Sequence, residues 1–162
     1  MASIGTAYYG AINSARTSLD IKVKSPWPAQ CSRRPKLQQY FEPEHVLLRK
    51  AKAGVICRLI CLEPESYREF CLQGSDKMAN SPYFAKAQAM IDAFEQSGGS
   101  VRRISGAIAP ELSFVIVDAA RAVLFLGAWD RAGRFQREPF QIEDLALVEF
   151  LKTAFEICWT AR

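Results

Sequence analysis

The chain has 162 residues, of which 49% are hydrophobic and 23% charged, and a formal net charge of +4. That length suits one continuous core over residues 1–162 better than two marginal ones, and the apolar fraction excludes a disordered chain. The slight basic excess permits a phosphate or nucleic-acid partner without demanding one, and with no apolar run of about 18 residues and no leader-like N-terminus, a non-membrane, cytoplasmic protein is expected.

From Thr6 to Leu19, Tyr8, Ala11, Ile12, Ala15 and Leu19 recur at helical spacing, and Ile21 and Val23 then alternate with Lys22 and Lys24, so a helix leads into a strand. Ser25 to Pro35 (SPWPAQCSRRP) holds three prolines and two adjacent arginines and reads as a surface loop. Tyr40, Phe41, Leu47, Leu48 and Ala51 predict a helix from about Gln38 to Ala53, with Gly54 as its stop and the strand VICRLICL directly after. A glycine turn between helix and β-branched strand is half of a crossover unit, so this strand is expected to pair in parallel with the earlier one.

A short helix is expected over Pro64 to Gln73, and a longer one over Pro82 to Gln96, with Ser81 as N-cap and Gly98-Gly99 at its end. The strand VRRIS follows. ELSFVIVD and RAVLFLGAW are separated by little more than Ala119 and Ala120, which predicts a central hairpin. DRAGRFQRE reads as a polar loop, FQI as a short strand, and the last segment as an amphipathic helix burying Leu145, Val148, Leu151, Phe155 and Cys158.

Cys31, Cys57, Cys61, Cys71 and Cys158 form no Cys-x-x-Cys pair, and His45 is the sole histidine, so the expectation is a reduced protein with no metal and no cofactor. Cys57 and Cys61 share one face of their strand as small buried hydrophobes. His45 falls in a predicted helix far in sequence from the hairpin, where packing or exposure is the simplest role.

The order of elements and several segments resemble the phospholipase D superfamily, in particular single-lobe effector modules of sugar-responsive transcription regulators. AINSARTSLDIKV is similar to that family's first helix and strand, LLRKAKAGVICRLICL to its second pair, LSFVIVDAARAVLFLG to its motif hairpin, and IEDLALVEFLKTAFEICWTAR to its closing helix. The resemblance implies a phospholipase D/nuclease-like mixed β-sheet flanked by α-helices, in a single lobe. The family signature is His-x-Lys-x4-Asp followed by Gly-Ser-x-Asn; its histidine attacks a phosphodiester, and its lysine and asparagine hold phosphate oxygens. With Asp118 on the motif aspartate, Glu111 stands at the histidine position and Ser113 at the lysine position, while Gly127 and Asp130 fall near the glycine and asparagine, displaced from the family spacing. A carboxylate repels a phosphodiester and cannot form the phosphohistidine, and without the lysine little stabilises the transition-state charge, so family catalysis is not expected.

Two accounts of the remaining residues stand side by side. Asp118 either satisfies backbone donors in its turn or joins Glu111, Ser113 and Asp130 in lining a polar-ligand cleft. Trp27 either stacks on a sugar or base or caps the core. Arg33, Arg34 and Lys36, the pair Arg102 and Arg103, and the late group Arg131, Arg134 and Arg137 either contact a polyanion or are solvated. The leading reading is a catalytically inactive domain that binds a small polar ligand or a protein partner. The alternatives are a phosphodiesterase or nuclease rebuilt around Glu111, Asp118 and Asp130 with a divalent metal, and an interaction module that dimerises through its hairpin face. The regulators that this chain resembles carry a helix-turn-helix region ahead of the domain, which is not seen here and implies a stand-alone module or a portion of a larger regulator.

Overall fold

The computed structural model describes residues 4–23, 46–63, 66, 82–105, 112–129 and 135–161. In chain order the elements are α1 (Ile4–Ser14), β1 (Ser18–Lys22), α2 (Val46–Lys52), β2 (Ile56–Leu62), α3 (Pro82–Gln96), β3 (Ser100–Ile104), β4 (Ser113–Val117), β5 (Arg121–Trp129), β6 (Phe135–Ile142) and α4 (Leu145–Thr160). The strands form one open six-stranded sheet in the order β3-β2-β1-β4-β5-β6. β1, β2 and β3 are parallel, and β4, β5 and β6 join them in antiparallel fashion, so the sheet is mixed.

The two faces follow from period-two alternation. Leu19 and Ile21, Cys57, Leu59 and Cys61, Val115 and Val117, and Val123 and Phe125 point to one face and pack with α1, α2 and α3. Ile60 and Leu62, Ile104, Phe114 and Ile116, and Ala122 point to the other and pack under Val148, Leu151 and Phe155 of α4. The expected parallel pair and central hairpin are present, and both Cys57 and Cys61 are free and buried, with burial pushing their thiols up to about 11 and about 12. Gly98 ends α3 at φ 93, and a Cβ on Gly99 would lie 2.2 Å from the fully buried ring of Phe94, so the second glycine is required by packing.

Two boundaries and the burial of one residue differ from expectation. α1 stops at Ser14, because Leu19 pairs with Cys57 and Val117 and so belongs to β1. β6 starts at Phe135, so FQRE is strand and not loop; it pairs only with β5, an edge position that tolerates Pro139. Leu145 is 69% exposed, since Asp144 caps α4 and turns its first residue away from the core. The described part of α2 runs only over Val46–Lys52, while the start of that expected helix and nearly all of the expected helix at 64–73 lie outside the described residues.

Candidate functional site

β4 has five residues, and its two ends carry the two described candidates, Ser113 at its start and Asp118 just past its finish. At about 3.3 Å per residue they stand about 16 Å apart. An extended strand separates the two, and of the two accounts of Asp118 the structure shows the one in which its carboxylate satisfies backbone donors. Glu111, Asp130, Trp27, Arg33, Arg34, Lys36, Arg131, Arg134 and His45 lie outside the described residues.

At the Asp118 end the carboxylate is consumed by the fold. It accepts hydrogen bonds from the backbone N–H of Arg16 (3.0 Å), Thr17 (2.7 Å) and Ser18 (3.1 Å) and from the Thr17 hydroxyl (2.9 Å). Asp118 and Ala119 adopt φ 53 and 54, and the Ala120 N–H donates to Val117, which makes a hairpin turn of the mirror-image type that matches strand twist. Partial burial works to raise the carboxyl pKa, and the bonds from Thr17, Ser18 and Arg16 outweigh it and bring the group down to about 2. Cations surround the same loop: Lys50 Nζ donates to the Ala15 carbonyl at 2.6 Å, Arg121 to the Ser14 hydroxyl at 3.3 Å, and Arg16 between them is exposed.

The opposite end of β4 carries Ser113. Ser113 is 4% exposed, shares the α1 face with Val115, and pairs with Phe125, whose ring lies 6.2 Å from that of Tyr8. Burial raises the Tyr8 phenol, and its hydroxyl has no hydrogen-bond partner among the described residues. On the α4 face at this end, Lys22 is also 4% exposed, with its amine 5.2 Å from the centre of the Phe114 ring and beside the Cys158 thiol. Burial lowers its pKa, and Cys158 works against that shift. Ser113 and Tyr8 on the α1 face, and Lys22 on the α4 face, are thus polar groups held in apolar surroundings. Sequence reading missed Tyr8 and Lys22: helical periodicity assigns Tyr8 to packing, and strand alternation assigns Lys22 to a polar face that α4 in fact covers.

Arg102 and Arg103 do not act together, because neighbours in a strand point to opposite faces. Arg103 pairs with Glu95 at 2.9 Å and Asp92 at 3.5 Å on α3, while Arg102 donates to the Trp159 carbonyl at 2.6 Å on α4. A second polar cluster joins β1, β2 and α4: Arg58 binds both oxygens of Asp20 (2.7 and 2.9 Å) and Glu156 (2.7 Å), and its guanidinium lies over the stacked rings of Phe155 and Trp159. Its signal in the sequence is a pair of opposite charges, Asp20 and Arg58, each inside a strand. Among the described residues no three His, Cys, Asp or Glu side chains gather as metal ligands. No described helix is long and apolar enough to cross a membrane.

No family model and no curated protein matches the sequence. Among solved structures the chain is similar to Nuc, a phospholipase D family member from Salmonella typhimurium, over 94% of this chain and 84% of that one, at 17% identity and a TM-score of 0.60. It is also similar to TrmBL2, an archaeal chromatin protein that shows a novel mode of DNA binding, over 93% of this chain and 46% of that one, at 15% identity and a TM-score of 0.56. At these identities the likeness is one of fold. The mixed six-stranded sheet with helices on both faces has the phospholipase D/nuclease-like α/β architecture, in a single lobe.

Proposed function

We propose, from the premise of a phospholipase D-type fold, that this chain is a catalytically inactive, ligand-binding or regulatory domain of that architecture. The observation that carries the reading is Ser113: the position that resembles the family's lysine holds a buried, uncharged hydroxyl. A serine there donates or accepts one hydrogen bond but adds no positive charge to stabilise a phosphoryl transition state. Glu111 at the histidine position brings a carboxylate in place of a nucleophilic imidazole. Ser113 and the Tyr8 hydroxyl, set among apolar side chains, suit a small polar ligand whose donors and acceptors they would meet.

A thermal-shift screen in chelator against sugars, sugar phosphates, nucleotides and lipid head groups tests this. The expected result is a stabilising shift with one class, equivalent to about 2.7 kcal/mol at 100 times the dissociation constant. Ser113→Ala and Tyr8→Phe should each shrink that shift without lowering the melting temperature of the free protein. Divalent-dependent hydrolysis of bis(p-nitrophenyl) phosphate by the unmodified chain would replace the reading with the rebuilt phosphodiesterase.

A second reading, contact with nucleic acid, is favoured by Arg16, Lys50 and Arg121 around the loop before β1. TrmBL2 lends it a precedent in a protein of the same fold. Binding of a short DNA duplex should weaken linearly on a log–log salt plot, and removing Arg16 and Arg121 together should reduce the slope by about 2. A slope unchanged by that double substitution would remove the loop from any such interface.

A further inference from the structure

Lys22 holds its amine where a lysine ordinarily would not. It ends β1 on the face that α4 covers and is 4% exposed. A lysine near a strand end runs its stem over apolar surface and keeps its amine in water. Here the amine stays inside, 5.2 Å from the centre of the Phe114 ring, and among the described residues no carboxylate pairs with it. The polar group that it meets is the Cys158 thiol in the last turn of α4. A ring face and a thiol replace little of an ammonium's hydration, so burial lowers the Lys22 pKa and favours the neutral, nucleophilic amine, with Cys158 opposing that shift.

Both partners sit on rigid elements. Lys22 is paired on one side with Ile60 of β2 and on the other with Phe114 of β4. The residues around Cys158 are fixed in turn: Phe155 is fully buried, Glu156 bonds Arg58 at 2.7 Å, and the Trp159 carbonyl accepts from Arg102 at 2.6 Å. The thiol is therefore held against the amine by contacts that neither of them makes.

Access to the two groups differs. Cys158 is half-buried, so a small solute reaches its sulfur, while Lys22 is shut away from solvent. The other described cysteines are unlike it. Cys57 and Cys61 are 2% and 1% exposed, lie on the opposite face, and have thiols that burial keeps protonated and inert.

We propose that Lys22 and Cys158 form a peroxide-responsive modification site that closes into a covalent sulfur–nitrogen bond between β1 and α4. In the first step the Cys158 sulfur takes one oxygen from hydrogen peroxide and becomes a sulfenic acid, while the peroxide is reduced to water. In the second, the lone pair of the Lys22 amine attacks that sulfur. The S–N bond forms, the S–O bond breaks, and the hydroxyl leaves with an amine proton as water, which gives a sulfenamide. Two equivalents of a thiol reductant restore thiol and amine and end as a disulfide. The site does not depend on the ligand reading, because Ser113 and Tyr8 lie on the other face of the sheet.

The test treats the whole chain with dilute hydrogen peroxide, alkylates the remaining thiols and digests with trypsin. A modified Lys22 leaves peptide 17–24 uncut, which has no cysteine, while peptide 153–162 carries Cys158 alone, so a disulfide cannot join them. The expected product is these two peptides linked, about 2 Da lighter than their sum for the two hydrogens lost, and parted again by dithiothreitol. The treated chain should melt about 5–10 °C higher, since the bond closes a long loop in the unfolded state. Lys22→Met, checked for folding by circular dichroism, should stop at oxidised Cys158, and Cys158→Ser should give no link. In the unsubstituted chain, Cys158 carried to a sulfinic or sulfonic acid with Lys22 free, or left unmodified by peroxide, would overturn the proposal.

Discussion

Arg58→Ala is expected to lower unfolding free energy by about 3–4 kcal/mol, read as a reduced urea midpoint at an unchanged slope. The side chain joins β2 to β1 and α4 at once, through two bonds to Asp20, one to Glu156 and two aromatic faces. Arg58 is 26% exposed and Asp20 only 12%, so removing the guanidinium strands a largely buried carboxylate, and that uncompensated charge dominates the cost. The bond to Glu156 counts for little, since that partner is 49% exposed. Hydrogen bonding to Asp20 is also the main reason that the Arg58 pKa is raised, ahead of an opposing effect of burial. The decisive comparison is the double variant Asp20→Leu/Arg58→Met, which removes both charges and should lose less than Arg58→Ala alone. A double variant as unstable as the single one would mean that the ring contacts, not the charge pair, hold α4 down.

This cluster also marks where the sequence was legible. The glycine turn between a helix and the β-branched run ICRLICL identifies that strand and its parallel pairing with LDIKV, a crossover that puts helices on the faces of the sheet. Alternation in LDIKV assigns Asp20 to a polar face, yet helices cover both faces of the sheet, and what rescues the charges of Asp20 and Arg58 there is a partner on another element, which a one-dimensional pattern does not reveal. Leu145 fails for a related reason: its spacing matches the buried stripe of α4, but the capping bond from the Leu147 N–H to Asp144 sets where the helix begins. Periodicity finds the buried stripe and, in the same helix, an exposed one at Leu147, Phe150 and Ile157. Which of the two faces the sheet is decided by tertiary packing.

Of the candidate site, the motif spacing located β4 and the hairpin turn at Asp118. A motif written in one line hides that Ser113 and Asp118 are separated by a full strand. Tyr8 enters the site from α1 through its contact with Phe125, a relation with no sequence signature.

Asp118→Ala should cost about 2–3 kcal/mol at neutral pH, because three backbone donors and one hydroxyl lose a charged acceptor and an alanine is left at φ 53. Asp118→Asn should retain about half of that, since asparagine tolerates the left-handed region and keeps one acceptor oxygen. The carboxyl is lowered from 3.8 to about 2 in the folded chain, so its contribution is complete above pH 3.8 and is lost as pH falls toward 2. Discounted for partial exposure, that component is about 1–2 kcal/mol, and Asp118→Asn should lack it when both proteins are titrated from pH 5 to 2. The same variant separates the two accounts of this residue. If Asp118 acts only to tie the hairpin to the start of β1, a ligand that raises the melting temperature of the parent should raise that of Asp118→Asn by an equal amount, from a lower baseline. If the ligand shift disappears while the fold persists, Asp118 is a ligand group after all. The equal shift is expected, since the carboxylate already holds four hydrogen bonds at the far end of β4 from Ser113. On that outcome, the motif position that this chain retains by residue type serves its architecture and not its chemistry.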